Sequence, residues 1–115
     1  MKMAVEMLDE GIKKIELSGR MDIEGTSRVE TKLALASAVE KSFVIVDLSQ
    51  VDYLASIGIG TLVNTAKFIK LRNGKMVFLN PRRNVALVLT KTGIDAIIPV
   101  YYSFEDAKKA LLEAQ

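Results

Sequence analysis

The run Phe43-Val44-Ile45-Val46 constrains this chain most: consecutive apolar residues, mostly β-branched, bounded by polar neighbours. Side chains alternate between the two faces of a strand, so an unbroken apolar run suits a central strand covered on both sides. Such a strand needs helices on its flanks. The fold must therefore be layered, and the rest of the chain has to supply helices with one apolar stripe each.

It does so in regular alternation. Met3, Val5 and Met7 alternate, and after Asp9-Glu10-Gly11 the pattern resumes at Ile15 and Leu17, which predicts a half-exposed strand hairpin ending at Gly19. A loop over Arg20 to Gly25 then leads to Ser27 and Glu30, spaced as a capping box that opens a helix carrying Val29, Leu33, Ala36 and Val39 on one face. After the central strand, a second helix begins at Ser56 with Ile59, Leu62, Val63, Ala66 and Ile69 on its apolar face, and Asn73-Gly74 supplies a left-handed stop. Lys75 to Leu79 reads as a further strand. Pro81 precedes a third helix holding Val85, Val88 and Leu89 and ending at Gly93. Ile97 to Val100 is expected as a short edge strand limited by Pro99, and Ser103 opens a last amphipathic helix with Phe104, Ala107, Leu111 and Ala114. The expected architecture is α/β: a small mixed sheet, parallel apart from an antiparallel edge, with helices packed against it in a single domain over residues 1–115.

Composition narrows function by exclusion. The chain has 115 residues, 50% of them hydrophobic and 26% charged, as expected of one globular core. Sixteen basic and fourteen acidic side chains leave a net charge of +2 with no long basic run, which gives nucleic acid binding little electrostatic support. No apolar run approaches the roughly 20 residues that cross a bilayer, and Met1 to Glu10 is too acidic for a signal peptide, so direct membrane insertion is not expected and a cytoplasmic location is. Cysteine is absent, which removes disulfides and thiolate chemistry. Histidine is absent too, so the commonest general base and transition-metal ligand is missing, and no catalytic motif replaces it. A non-enzyme without a cofactor is therefore expected, and a small hydrolase or nucleotide-binding enzyme using Ser56 or the aspartates is the competing reading that the missing histidine and cysteine disfavour.

The expected functional surface lies where strands run into helix N-termini, and Asp22 and Ser56 both fall there. Ser56 has two readings: an N-cap, or an exposed hydroxyl that accepts a phosphate favoured by the positive helix end. Gly58-Ile59-Gly60 is a poor phosphate loop, since no Gly-Lys-Ser or Gly-Lys-Thr follows, and reads better as room for a helix to pack on the sheet; weak nucleotide binding stays open. Asp22, Asp47 and Asp52 read as turn and cap residues rather than metal ligands. Tyr53 and Leu54 either close the core or form a small binding patch.

The segment Asp47-Leu48-Ser49 through Val51-Asp52-Tyr53-Leu54-Ala55-Ser56-Ile57-Gly58-Ile59-Gly60 resembles the signature of the anti-sigma factor antagonists of the STAS domain family, D-L-S-x-V-x-x-[ILM]-D-S-[ST]-G-[IL]-G. Leu17-Ser18-Gly19-Arg20-Met21-Asp22 resembles a second family segment, and Gly74 to Asn80 with Thr92-Gly93-Ile94 a third. The resemblance spans essentially the whole chain. It implies a protein-binding switch: the unphosphorylated domain binds an anti-sigma factor that is a serine kinase of the histidine-kinase ATPase type, which frees a sigma factor, and phosphorylation ends the interaction. By position Ser56 matches the phosphorylated serine, a phosphatase of the PP2C class would restore it, and Asp22, Tyr53, Leu54, Ala55, Ile57 and Gly58 would share the partner-facing surface. This sequence departs from the signature at Ala55, where the family has aspartate, and at Ile57, where it has a second hydroxyl residue. Those departures favour the alternative implied by the wider family, a scaffold module in a stress-signalling or lipid-transport complex that is never phosphorylated.

Overall fold

The computed structural model describes residues 1–115. Strand β1 (Lys2–Met7) and strand β2 (Ile12–Met21) form the hairpin, joined by a one-turn 3-10 helix at Asp9–Gly11. Helix α1 (Ile23–Ala36), strand β3 (Phe43–Leu54), helix α2 (Ser56–Leu71), strand β4 (Lys75–Leu79), helix α3 (Arg83–Lys91), strand β5 (Val100–Tyr101) and helix α4 (Phe104–Ala114) follow, with a second 3-10 turn at Ile94–Ala96. The sheet runs β1-β2-β3-β4-β5; β1 is antiparallel to β2 and every other neighbour pair is parallel. No helix is long and apolar enough to cross a membrane.

The central run behaves as its alternation requires. Val44 and Val46 enter the core shared with Val29 and Leu33 of α1, Leu62 and Ile69 of α2, and Val85 and Leu89 of α3. Phe43 and Ile45 point the other way, onto Ala107 and Leu111 of α4, together with Ile12, Val77 and Leu79. Burial of these side chains, about 1.5–3 kcal/mol each, makes β3 the spine of the domain.

Several boundaries differ from expectation for identifiable reasons. β2 does not stop at Gly19, which takes φ +108 within the strand, and it continues to Met21. The capping box of Ser27 and Glu30 does not form, because α1 has already started four residues earlier. Its N-cap is Asp22, extended at φ −89 and ψ −167, whose carboxylate accepts a hydrogen bond from the Gly25 N–H at 2.8 Å. Gly25 reads as a loop glycine but is helical; an added Cβ there would overlap the Arg20 carbonyl oxygen, so only glycine lets α1 start against the end of β2. Val39 falls beyond α1 and is exposed. The left-handed stop at Asn73-Gly74 does form at the end of α2, and Asn73 is the residue that takes it, at φ 62. Gly74 is needed for space, since a Cβ there would overlap the Ser42 carbonyl oxygen. The last strand begins only after Pro99.

β3 also runs well beyond the expected Val46, to Leu54. Its pairing with β4 ends at Asp47, whereas its pairing with β2 goes on to Leu54 through two register shifts, in each of which β3 gains one residue on β2. Each slip turns the following side chains to the opposite face. The projecting end is held from outside by the start of α3, where the N-cap residue Arg82 donates from Nε to the Ser49 carbonyl at 2.9 Å and Asn84 Nδ2 donates to the Asp52 carbonyl at 2.8 Å.

Candidate functional site

Two strand-to-helix junctions lie side by side at this projecting end. The Ala55 N–H donates to the Met21 carbonyl at 3.0 Å, tying the β3–α2 turn to the β2–α1 turn. That bond brings Asp22 and Ser56, far apart in sequence, onto one surface. Gly58 makes the approach possible: a Cβ there would sit 2.6 Å from Met21 Cγ and 3.0 Å from both the Met21 carbonyl oxygen and Leu54 Cδ1. The expected packing role of the glycine pair thus belongs to Gly58 alone, since Gly60 has open space where its side chain would be.

Ser56 is not the N-cap of α2. Ala55 takes that place, extended at φ −90 and ψ 167, and no side chain caps the helix. Ser56 is the first helical residue and is exposed, with no hydrogen bond from its hydroxyl. The first intrahelical bond runs from the Ile59 N–H to the Ala55 carbonyl at 3.0 Å. The amides of Ser56, Ile57 and Gly58 precede it and are the orphan donors of this 16-residue helix. An exposed hydroxyl therefore stands beside a positive, uncapped helix end.

Alanine is among the poorest N-cap residues, because it offers the amides no acceptor. Ala55→Asp is expected to cap α2 and stabilise the protein by about 1 kcal/mol, seen as a higher denaturant midpoint. An unchanged midpoint would mean that a carboxylate at this position does not reach the free amides.

The residues around Ser56 divide by burial. Tyr53 is exposed, and the Arg20 guanidinium stacks over its ring at 4.3 Å from the centroid. Arg20 Nε also lies 3.5 Å from Asp22 Oδ2. The bond from the Gly25 N–H holds the Asp22 carboxyl below the ordinary carboxylate value, with Arg20 adding to this against partial desolvation. Asp22 is therefore a fixed anion near neutral pH. Leu54, expected on the same surface, is instead a core residue, 5% exposed, because the second register shift of β3 turns it inward while Asp52 and Tyr53 turn out. Gly58 is buried as well. Ile57 is 50% exposed, and Ile23, which the sequence pattern did not single out, is 78% exposed at the first helical position of α1. The two adjoining junctions thus expose apolar side chains at Ile23, Ile57 and Tyr53 and carry the Arg20–Asp22 ion pair.

The three aspartates have separate duties. Asp22 caps α1, Asp47 accepts from the Ser49 N–H at 2.9 Å and lies 3.6 Å from Lys14 Nζ, and Asp52 is exposed on β3. No group of acidic side chains converges in a manner that could hold a metal ion. Arg20, Arg82 and Asn84 escaped the sequence reading. Their roles are contacts with a ring and with backbone carbonyls from other elements, for which spacing along the chain carries no signal.

The chain is 27% identical over 114 residues to BtrV of Bordetella bronchiseptica, a protein assigned by name as an anti-sigma factor antagonist, covering 99% of this chain and 97% of that one. Its fold matches the crystal structure of an anti-sigma factor antagonist from Mycobacterium paratuberculosis with a TM-score of 0.86 at 24% identity, over 96% of this chain and 92% of that one. It also matches the phosphorylated form of the Bacillus cell fate determinant SpoIIAA with a TM-score of 0.70 at 19% identity, over 95% and 99% of the two chains. The family model for the STAS domain matches residues 7–107, nearly the whole of the folded unit from the end of β1 into α4, and the chain belongs to the STAS domain family.

Proposed function

We propose that this protein is an anti-sigma factor antagonist whose switch is Ser56. The observation that carries this reading is the exposed Ser56 hydroxyl at the first position of an uncapped 16-residue helix, at a pair of joined strand-to-helix turns that expose apolar side chains. Unphosphorylated, the surface of Asp22, Ile23, Tyr53, Ala55, Ser56 and Ile57 binds an anti-sigma factor that is itself a serine kinase of the histidine-kinase ATPase type. Leu54 and Gly58 support that surface from beneath. Binding displaces a sigma factor, and the chain contributes no catalytic group of its own. The cell compartment is the cytoplasm, where sigma factors act.

Transfer of the ATP γ-phosphoryl group to Ser56 Oγ adds roughly −1.5 to −2 charge to this surface. Free amides and the helix dipole favour that charge, so α2 has no reason to unfold. A partner that buries Ile23, Ile57 and Tyr53 against apolar groups would have to desolvate the phosphate, which costs binding. The switch thus acts by surface chemistry on a fixed backbone. A PP2C-type phosphatase reverses it. The name of the BtrV relative supports the partner class, and a phosphorylated SpoIIAA of the same fold supports the chemistry.

The test is affinity capture from lysate of the source cell with ADP present, using the unmodified protein and the protein carrying phosphoserine at position 56. Retention of a histidine-kinase-like ATPase by the unmodified protein alone is the expected result. Equal retention of one partner by both forms would replace the switch with a scaffold role, the reading that Ala55 and Ile57 favour.

A further inference from the structure

One edge of the sheet is left open along a full strand. β5 is only two residues long, but β1 offers six residues whose outer edge has no neighbour. An unpaired edge is ordinarily guarded by proline, a bulge, a covering element or repelling charges. β1 has neither proline nor bulge, and its two charges, Lys2 and Glu6, are of opposite sign: its sequence is Lys-Met-Ala-Val-Glu-Met, and its register with β2 is unbroken from Lys2 to Met7. Met1 and Met3 pack against the core, and Val5 and Met7 continue the same row but stand in solvent, 49% and 68% exposed. On the opposite face, Lys2 and Glu6 carry opposite charges and flank Ala4 symmetrically.

We infer that β1 pairs antiparallel with β1 of a second copy of this chain about a twofold axis at Ala4, joining two five-stranded sheets into one of ten strands. The strand is self-complementary in that register. Lys2 of each copy faces Glu6 of the other, Met3 faces Val5, Met1 faces Met7 and Ala4 faces Ala4. Every pair joins positions of the same parity, so hydrogen-bonding positions meet each other and both faces keep their character across the seam. Other registers that preserve the faces lose the charge pairing. Moving the axis to Val5 places Lys2 opposite Leu8 and Glu6 opposite Ala4; moving it to Met3 leaves Lys2 opposite Ala4 and Glu6 with no partner. Opposite charges directly across a strand pair stabilise it and like charges weaken it, so one register is selected. The contact is isologous, uses one patch on both copies, and closes at the dimer.

Sedimentation equilibrium over a wide concentration range tests this with charge swaps at exposed positions, folding being checked by circular dichroism. The unmodified chain is expected to form a concentration-dependent dimer. Lys2→Glu and Glu6→Lys each place like charges opposite one another twice, and each should raise the dimer dissociation constant about tenfold. An equimolar mixture of the two single variants should recover the original affinity, because every charge then faces its opposite, and so should the double variant. A chain that stays monomeric throughout overturns the inference. Single variants that dimerise as well as the unmodified chain, or a mixture that fails to recover, would place the contact elsewhere.

Discussion

Ser56→Ala is expected to fold and bind its partner like the unmodified protein, and to lose phosphorylation completely. The hydroxyl is exposed and is not the helix cap, so its removal should change stability by less than about 0.5 kcal/mol. Alanine leaves the apolar surface of Ile23, Ile57 and Tyr53 as it is. With purified kinase and radioactive ATP, label on the variant should fall to background, although other hydroxyl residues such as Ser49 and Thr61 remain available. In the presence of ATP the variant should then hold its partner without release, because the event that ends binding has been removed. Label persisting on Ser56→Ala would move the modification to another residue and with it the whole account of the helix end.

Gly25→Ala is expected to be the most damaging single methyl near the site. The added Cβ would overlap the Arg20 carbonyl oxygen and stand 3.1 Å from Asp22 Oδ1, with backbone on one side that cannot swing aside. Relief requires the first turn of α1 to lift away from the end of β2, which breaks the bond from the Gly25 N–H to Asp22 and displaces the junction to which Ala55 is tied. A loss of about 3 kcal/mol is expected in denaturant titration, the scale of severe overpacking. Gly60→Ala is the matched control: its Cβ meets nothing within 4 Å, and replacing a helical glycine should leave stability unchanged or raise it by up to about 1 kcal/mol. If the two variants unfold at the same denaturant concentration, Gly25 is not the tight point of the junction.

The fold was legible wherever one residue type carried one signal. Apolar alternation and uninterrupted runs located β1 to β4, β4 to the residue, while the last strand began only at the end of the apolar run that announced it; Ser103 marked the start of α4 through its acceptance of the Asp106 N–H. Errors arose where a residue type serves two purposes. Gly25 signals a loop by propensity but is helical because of a close carbonyl; Ser27 and Glu30 match a capping box, yet Asp22 caps first. The far half of β3 was hidden because Ser49, Gln50 and Asp52 break the apolar pattern, and because two extra residues shift its alternation. That shift also separates Tyr53 from Leu54, neighbours that composition alone treats alike. At the site itself, Ser56 and Asp22 were legible as strand-to-helix residues. Ile23, the Arg20–Tyr53 stack and the transfer of the cap position from Ser56 to Ala55 depend on tertiary placement, which no local pattern encodes.

The projecting end of β3 gives this site a mechanical character of its own. From Leu48 onward the strand has β2 on one side only, and its other side is restrained by two side-chain bonds from Arg82 and Asn84 where β4 would otherwise lie. β2 in turn loses β1 beyond Ser18, so over Val51 to Leu54 the two strands form a ribbon, which opens at lower free energy than a sheet interior. In amide exchange, residues 51–54 should lose protection well before Val44 to Val46, while the rest of the sheet stays closed. A catalytic cleft that draws Ser56 outward has to bend this ribbon and lift Val51 and Leu54 from the core, so the opening of these few residues limits how far the serine can be presented.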